Sequence, residues 1–487
     1  MVAVVSMARH GQRSPYPPPE GSSAAGLNMW SPRPFPSPAA WNMSREEFDY
    51  QLLTPNGKRL PFHLGEFQAL RFSGSTCDLR ASLIADSSIR DVQTAQYFAA
   101  GFFPESCVHD RSSDILIANK SAYPHIHAAV NDHTFAGCAG PDAAQIALSY
   151  GGDYEAMARA YAPQIERISS IIGCCSVQVC SSRNLPPNCS LADLHHSYDG
   201  LYYRGFYDGP LSVAGYFSGV FMLQAVSGLR PFAWGELSLE EVVDLYRVHQ
   251  RVMWLGSQLN SSRAYGSHGL AYLLASLEQV VTDSPIEGLA DKGLRQQGNA
   301  SQQLFLALFG HDFNILYLRR LLRASWVTDS WNFDAVVPSS DLVIELYREN
   351  GQWHVVGSLI AASIEQQRDS TPLVPPHKPP SQAIIFDEPY RRFRQRALDA
   401  IDAECVLEPL RSSILAMSKR RPNTATGRNG LSIEGVIAIV FAALTIGGLL
   451  GGSIGRSSRS ESVIRTPMIV DLHSQSRACG AHGNPEA

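Results

Sequence analysis

The stretch MARHGQRSP (residues 7–15) directly follows the short apolar run Val2-Ala3-Val4-Val5. Arg9 and Arg13 flank His10 and Gly11, and a proline closes the stretch. An apolar run of this length predicts a buried strand over residues 2–7, and the charged residues then fall in the loop after it. Functional side chains of open α/β sheets lie in such loops, at the carboxyl ends of the strands.

Further strands are predicted along the chain in the same alternating pattern. Residues 82–86 (SLIAD) and 304–309 read as buried strands, and Asn350-Gly351 marks a hairpin between two alternating segments. The intervening segments are amphipathic helices, so the sequence predicts a mixed-sheet α/β domain. We expect this domain to comprise residues 1–120 and 266–415, with a helical cap inserted over residues 121–265.

Eight of the nine cysteines lie between Cys77 and Cys405, which favours a disulfide framework formed in an oxidising compartment. Adjacent cysteines rarely bond each other, so Cys174 and Cys175 are expected to have different partners. Buried free thiols remain the alternative. Five N-x-S sequons support a lumenal or extracellular location for residues 1 to about 430; they begin at Asn42, Asn119, Asn188, Asn260 and Asn299.

Residues 435–454 (GVIAIVFAALTIGGLLGGSI) form an uncharged segment long enough to span a bilayer as a helix. A buried core helix is the less favoured reading. The prediction is a type I membrane protein with a stalk over residues 416–434 and a cytosolic tail over residues 455–487. Glycines spaced by four in the segment would let two such helices approach closely, which is compatible with a homodimer. A secretory leader is expected before the first strand, so we expect the natural N-terminus to be longer. A net charge of −5 gives no indication of nucleic-acid binding.

Two further charged groups follow predicted strands. Arg90 lies in ADSSIRDVQTAQ, and His311 and Asp312 lie in GHDFNI (residues 310–315). Each has a simpler reading: Arg90 could form a surface salt bridge with Asp86 or Asp91, and Asp312 could be a helix N-cap. Arg80 is a weaker rival to Arg90 because it precedes its strand.

The sequence resembles the histidine acid phosphatases, a family that includes lysosomal and prostatic acid phosphatases and histidine-type phytases. RHGQRSP is similar to the family's RHGxRxP loop, GHDFNI to its HD element, and residues 53–72 (LTPNGKRLPFHLGEFQALRF) to its LTxxGxxxxxxLG helix. The resemblance implies a phosphoglycerate-mutase-like, three-layer mixed-sheet fold with a helical cap. It also implies His10 as nucleophile, Asp312 as general acid, and Arg9, Arg13, Arg90 and His311 as phosphate-binding groups.

Those residue types suit phosphoryl transfer without a metal or cofactor. Guanidiniums stay charged and donate in forks to phosphate oxygens, and their charge should lower the pKa of the attacking imidazole. A carboxyl group that protonates the leaving oxygen must itself be partly protonated, which favours acidic conditions. The expected substrates are small phosphate monoesters, with phosphoproteins as a further class, in a lysosomal, endosomal or cell-surface setting.

Other functions are less favoured. A phytase-like preference would need a basic cap, and the cap arginines Arg159, Arg167, Arg183 and Arg204 are not unusually dense. A catalytically inert surface binding protein of the same fold would be expected to have lost one of the charged groups. A metal site built from the histidines of the insertion matches no zinc spacing, so surface histidines are the preferred reading of His125, His127, His133, His195 and His196.

Overall fold

Strand β1 (Ala3–Arg9) lies inside a mixed sheet, and all seven of its residues are buried. The computed structural model describes residues 1–15, 30–111, 115–118, 124–130, 138, 154–195, 209–289 and 303–419. The apolar sequence of β1 suits a strand that is covered on both faces. The strand predicted at residues 2–7 is therefore confirmed, and it continues to the first arginine of the loop.

Within the described residues, the sheet has seven strands in the order β3-β2-β4-β1-β5-β6-β7. The strands parallel to β1 are β2 (Arg80–Ala85), β3 (Ile115–Ile117) and β4 (Leu304–Gly310). The antiparallel strands are β5 (Asp341–Glu349), β6 (Gln352–Ala361) and β7 (Ser381–Pro389). Asn350 and Gly351 join β5 to β6 with positive φ angles of 50° and 77°, which confirms the predicted hairpin.

Helices cover both faces of the sheet. Those before residue 200 are α1 (Arg45–Asp49), α2 (Pro55–Ala69), α3 (Ile89–Phe102), α4 (Glu105–Arg111), α5 (Pro124–Val130), α6 (Tyr154–Ala160), α7 (Ala162–Ile172) and α8 (Val177–Ser182). Those after it are α9 (Pro210–Val226), α10 (Leu239–Gly256), α11 (Leu259–Thr282), α12 (Asp312–Leu321), α13 (Ile364–Asp369), α14 (Tyr390–Ala400) and α15 (Leu410–Lys419).

Two hydrophobic cores, one on each face of the sheet, make the domain three-layered. On one face, Leu64 of α2 and Phe98 of α3 pack with Phe305 of β4. On the other face, Leu270 of α11 and Tyr317 of α12 lie in a cluster with β1 and β4 residues. The expected mixed-sheet α/β fold is thus present.

A third core lies among α7, α9 and α10, where Ile168, Phe217 and Tyr246 are buried together with Trp331. These helices fall within the predicted insertion at residues 121–265. Helix α11 runs across the predicted end of that insertion and packs against β1. The cap boundaries stay a prediction.

Four disulfides join the cysteines of the described residues. They are Cys77–Cys107, Cys138–Cys405, Cys174–Cys175 and Cys180–Cys189. The disulfide framework is confirmed, but the expectation of separate partners for the adjacent cysteines is wrong. The structure instead joins Cys174 to Cys175, across a cis peptide bond.

The C-terminal predictions fall largely outside the described residues. Helix α15 enters the predicted stalk and ends at Lys419. The rest of the stalk, the predicted membrane helix at residues 435–454 and the tail are not described. Among the described residues, the structure contains no helix with the length and apolarity needed to cross a bilayer.

Asp341, at the start of β5, predicts a pH-dependent stability. Its carboxylate is buried and accepts a hydrogen bond from Gln68 at 2.7 Å. Burial raises the pKa of Asp341 to about 6, against the opposing effects of Gln68 and Arg71. The folded state therefore binds more protons than the unfolded state between about pH 4 and 6. Stability should fall as pH rises through this window, by about 3 kcal/mol at most.

Replacing Asp341 with asparagine should remove this loss, because the neutral amide still offers an oxygen to Gln68. Urea unfolding at pH 4 and pH 7.5 measures it: Asp341→Asn should gain stability relative to wild type at pH 7.5 and little at pH 4. Asp329→Asn, which changes a surface carboxylate paired with Lys378, is the matched control. An equal gain at both pH values would contradict the prediction.

Candidate active site

Three loops meet at the carboxyl ends of the parallel strands β1, β2 and β4. The backbone joins them directly: His10 N donates to Gly310 O at 2.9 Å, and Asp86 N donates to Phe309 O at 2.9 Å. This edge of a parallel sheet is where α/β proteins bind ligands. The fold thus brings the RHG loop, the start of α3 and the HD element to one place.

Two glycines allow the RHG loop to lie tightly against α2. A Cβ on Gly11 would stand 2.3 Å from the carbonyl oxygen of Gly57, and a Cβ on Gly57 would stand 1.9 Å from that of Gln12. Thr94 of α3 fixes the loop further, because its hydroxyl accepts from Gly11 N at 3.0 Å and donates to Arg90 O at 2.7 Å. The loop and α3 therefore hold their side chains in a fixed relation.

His10 is buried, with 4% of its surface exposed. Its Nδ1 lies 2.9 Å from the carbonyl oxygen of Gly11, so Nδ1 carries the proton and donates, which leaves the Nε2 lone pair available. Burial lowers the pKa of His10 well below its ordinary value, and the charges of Arg90, Arg13 and Arg9 lower it further. The imidazole is therefore neutral, as a nucleophile must be.

The three arginines of the predicted phosphate site lie around His10. Arg9 donates to Val336 O and forms an ion pair with Asp312 at 2.9 Å, and Arg13 donates to Ser14 O at 2.7 Å. Arg90 lies 3.8 Å from Asp91, which is completely buried, so this pair is not the surface salt bridge of the simpler reading. Guanidiniums so arranged favour an anion with several oxygens.

Asp312 is the first residue of α12, and the N-cap is His311, whose backbone N–H donates to Asn314 Oδ1 at 2.8 Å. The N-cap reading of Asp312 is therefore wrong by one residue. Burial alone would raise the pKa of Asp312, but Arg9 first, then His249 and His311, outweigh it and lower that pKa. In the free protein this carboxyl group is thus ionised, although a general acid must carry a proton.

His311 lies at the junction of the site. Its Nε2 is 3.0 Å from Asp86 Oδ2, its Nδ1 is 3.4 Å from Arg90 Nη2, and its ring stands edge-on to His10 with centroids 5.8 Å apart. Nε2 therefore donates to the carboxylate, and Nδ1 faces the guanidinium. The six residues singled out in the sequence are close together, but their chemical roles remain proposals.

Helix α10 contributes two side chains that the sequence analysis missed. The Tyr246 hydroxyl accepts a hydrogen bond from Arg9. The part-buried His249 donates from Nδ1 to Gly215 O at 3.1 Å, and its ring stacks on Tyr246. Burial lowers the pKa of His249 to about 4, although the nearby Asp312 raises it. An amphipathic pattern places such residues on a helix face and does not indicate which loop that face meets.

His127 corrects a prediction: it is not a surface histidine. Its side chain is 15% exposed, and its Nδ1 lies 3.4 Å from Asp86 Oδ1. His195 is exposed as expected, and His133 and His196 lie outside the described residues, as does the side chain of His125.

Asp86, Asp91 and His311 have potential metal-ligand atoms within 4.8 Å of one another. However, His311 and Asp86 already hydrogen bond at 3.0 Å, and the Arg90 guanidinium lies against His311. A metal ion would have to displace His311 and Arg90 from the contacts that they already make.

Comparisons with known proteins give one consistent result. Residues 1–360 match the sequence profile of the histidine phosphatase superfamily (branch 2). The phytase AppA of Escherichia coli (strain K12) is 24% identical over 400 residues, covering 76% of this chain and 83% of that protein. The structure of the phytase from Citrobacter braakii superposes with a TM-score of 0.66 at 21% identity, covering 84% of this chain and 99% of that one. Hafnia alvei phytase in complex with myo-inositol hexakis sulphate gives 0.65 at 19% identity, over 84% and 98% of the two chains.

Proposed function

This chain belongs to branch 2 of the histidine phosphatase superfamily and is a hydrolase of the histidine acid phosphatase family, and on that premise we propose that it hydrolyses phosphate monoesters through a covalent phosphohistidine on His10. The single observation that carries the proposal is the state of His10. Its imidazole is buried and donates from Nδ1 to Gly11 O, and burial together with three nearby guanidiniums lowers its pKa, which favours the neutral form. A neutral nucleophile next to an anion clamp is what phosphoryl transfer to histidine requires.

In the first step, Arg9, Arg13 and Arg90 hold the phosphate oxygens and Nε2 of His10 attacks phosphorus. The N–P bond forms as the P–O bond to the alcohol breaks, and Asp312 gives its proton to the departing oxygen. In the second step, the Asp312 carboxylate takes a proton from water while that water attacks phosphorus. The N–P bond breaks, and inorganic phosphate leaves.

Asp312 needs its proton only when substrate is bound. A phosphate dianion among the arginines offsets the positive charge that lowers the pKa of Asp312 in the free protein. Substrate binding should therefore raise that pKa toward the acidic working range. The monoanionic form of the substrate, which is abundant at acidic pH, also brings a proton of its own into the site.

An inositol polyphosphate phosphatase is the second candidate, because the relatives named above are phytases. The cap argues against it as the main activity. Arg159 pairs with Glu155, Arg167 with Glu241 and the Glu236 carbonyl, and Arg183 lies over the ring of Trp30. Side chains already engaged in this way are less available to a ring bearing several phosphates. Arg204 lies outside the described residues.

We further propose that the domain works outside the cytosol. Its disulfides need an oxidising compartment, and the sequon asparagines Asn42, Asn188 and Asn260 are exposed, as glycosylation requires. Lysosomal, endosomal or cell-surface location and the type I membrane anchor stay predictions, as does the homodimer.

Activity of the full-length chain tests the proposed function. With a chelator present, we expect hydrolysis of an aryl phosphate to peak below pH 6 and its kcat/KM to exceed that for phytate by about tenfold or more. Rapid quenching into base should trap a phosphoenzyme that acid destroys, as expected of phosphohistidine. Higher kcat/KM for phytate would favour the second candidate. A folded chain that binds phosphate and hydrolyses neither substrate from pH 4 to 8 would contradict both and favour the inert binding protein.

A further inference from the structure

Asp86 lies between two histidines from different parts of the chain. Its Oδ2 accepts from His311 Nε2 at 3.0 Å and from the Ser88 hydroxyl at 3.1 Å, and its Oδ1 lies 3.4 Å from His127 Nδ1. The residue is 4% exposed. A buried carboxylate of this kind needs partners on both oxygens: His311 hydrogen bonds to one, and His127 lies within ion-pair distance of the other.

Asp86 remains ionised in this setting. Burial would raise its pKa, but the hydrogen bond and charge of His311, with the charge of His127, lower it below the ordinary value. The carboxylate therefore stays an acceptor even under acidic conditions. Because it accepts a hydrogen bond from Nε2–H of His311, it fixes the tautomer in which Nδ1 accepts from Arg90 at 3.4 Å.

Helix α5 holds His127 firmly. Its Ala129 and Val130 are buried in the core that contains Leu270 of α11, and the helix packs against α11 and the sheet. A Cβ on Gly310 would stand only 2.8 Å from the Val130 carbonyl oxygen. Gly310 directly precedes His311, so α5 and the HD element approach each other at backbone distance. The same close contact thus sets the position of α5, which carries His127, relative to His311.

We propose that His127 is a positioning residue, which holds Asp86 so that Asp86 in turn fixes His311 and Arg90 on one side of the phosphate pocket. This inference rests on the proposed function, because it assigns His127 to the same pocket. His127 touches neither the phosphate nor the attacking atom in this arrangement. It acts through a carboxylate, an imidazole and a guanidinium in series, at 3.4, 3.0 and 3.4 Å.

The test compares His127→Leu, which removes the imidazole, with His127→Asn, whose amide nitrogen lies near the position of Nδ1. In the full-length chain, His127→Leu should weaken the binding of inorganic phosphate by about tenfold, measured by calorimetry. KM should rise by a similar factor for an aryl and an alkyl phosphate alike, while kcat changes less. His127→Asn should recover most of the affinity. In an Asp86→Asn background, His127→Leu should add little further loss.

His63→Asn is the matched control. His63 has the same exposed fraction, 15%, and pairs with Glu66 at 2.8 Å on α2 outside the pocket, so its replacement should leave phosphate affinity unchanged. Wild-type affinity in His127→Leu, or effects that simply add to those of Asp86→Asn, would overturn the proposal. If His127→Asn binds phosphate no better than a folded His127→Leu, then His127 contributes only packing. If wild type binds phosphate but hydrolyses no monoester, the proposed function fails and the binding comparison still decides the role of His127.

Discussion

Replacing His10 with asparagine is expected to lower kcat for every phosphate monoester by about 10⁴-fold or more. Asparagine can keep the donor at the Nδ1 position, which bonds to Gly11 O at 2.9 Å, and removes the Nε2 atom that would attack phosphorus. The loop should therefore keep its shape while the covalent step becomes impossible. Steady-state assays with aryl and alkyl phosphates measure the loss, and base quenching should yield no phosphoenzyme.

Phosphate binding by the same variant separates chemistry from folding. Because Arg9, Arg13 and Arg90 are unchanged, His10→Asn should bind inorganic phosphate within a few-fold of wild type. His354→Asn serves as a control that should keep full activity, because His354 on β6 pairs with Asp387 on β7. If His10→Asn retained more than about one hundredth of the wild-type kcat, water would be attacking phosphorus directly, and His10 would not be the nucleophile.

The parts of the fold that could be predicted from the sequence are those set by local patterns. The strand before the RHG loop, the strand before GHDFNI and the hairpin at Asn350-Gly351 each depend on a few adjacent residues. Parallel strands end at a common edge, so the loops after β1, β2 and β4 could be expected to meet. The proximity of Arg9, His10, Arg90 and Asp312 follows from that rule.

Contacts that depend on tertiary packing could not be predicted in this way. Tyr246 and His249 reach Arg9 and Asp312 only because α10 packs against α9, where the Gly215 carbonyl holds the imidazole. His127 read as a surface residue because nothing in its neighbourhood along the chain shows that α5 ends against Gly310. The Cys174–Cys175 bond likewise could not be inferred from residue type, because adjacent cysteines rarely bond each other.

The electrostatics of the site were predictable in part. Three nearby arginines imply a lowered pKa for His10, but burial is the larger cause. The same guanidiniums lower the pKa of Asp312, which the role of general acid alone would not lead one to expect. One set of charges thus favours a neutral nucleophile and an ionised acid. A bound anion that offsets those charges raises the pKa of Asp312, whereas burial, the larger cause at His10, continues to lower the pKa of the imidazole.

Asp312→Asn is therefore expected to affect substrates according to their leaving groups. An alkoxide needs a proton as it departs, whereas a nitrophenolate leaves readily without one. We expect kcat for an alkyl phosphate to fall by about 10³-fold, and kcat for nitrophenyl phosphate to fall by only about 10²-fold. Asparagine preserves an oxygen toward Arg9, which lies 2.9 Å from Asp312 in wild type. Parallel measurements on the two substrates give the ratio directly.

The pH dependence of alkyl phosphate hydrolysis provides a second, independent test of Asp312 as the general acid. In wild type, alkyl phosphate hydrolysis should fall as pH rises through the pKa of Asp312 in the substrate complex, because the carboxyl group loses the proton it must donate. Asp312→Asn cannot ionise, so its rate should lack this decline and the ratio of wild type to variant should shrink with rising pH. Equal losses for both substrates, with the decline retained, would mean that Asp312 only anchors Arg9. The proton would then have to come from the substrate or from another group, and His249, next to Asp312 with a pKa of about 4, would be the first to replace.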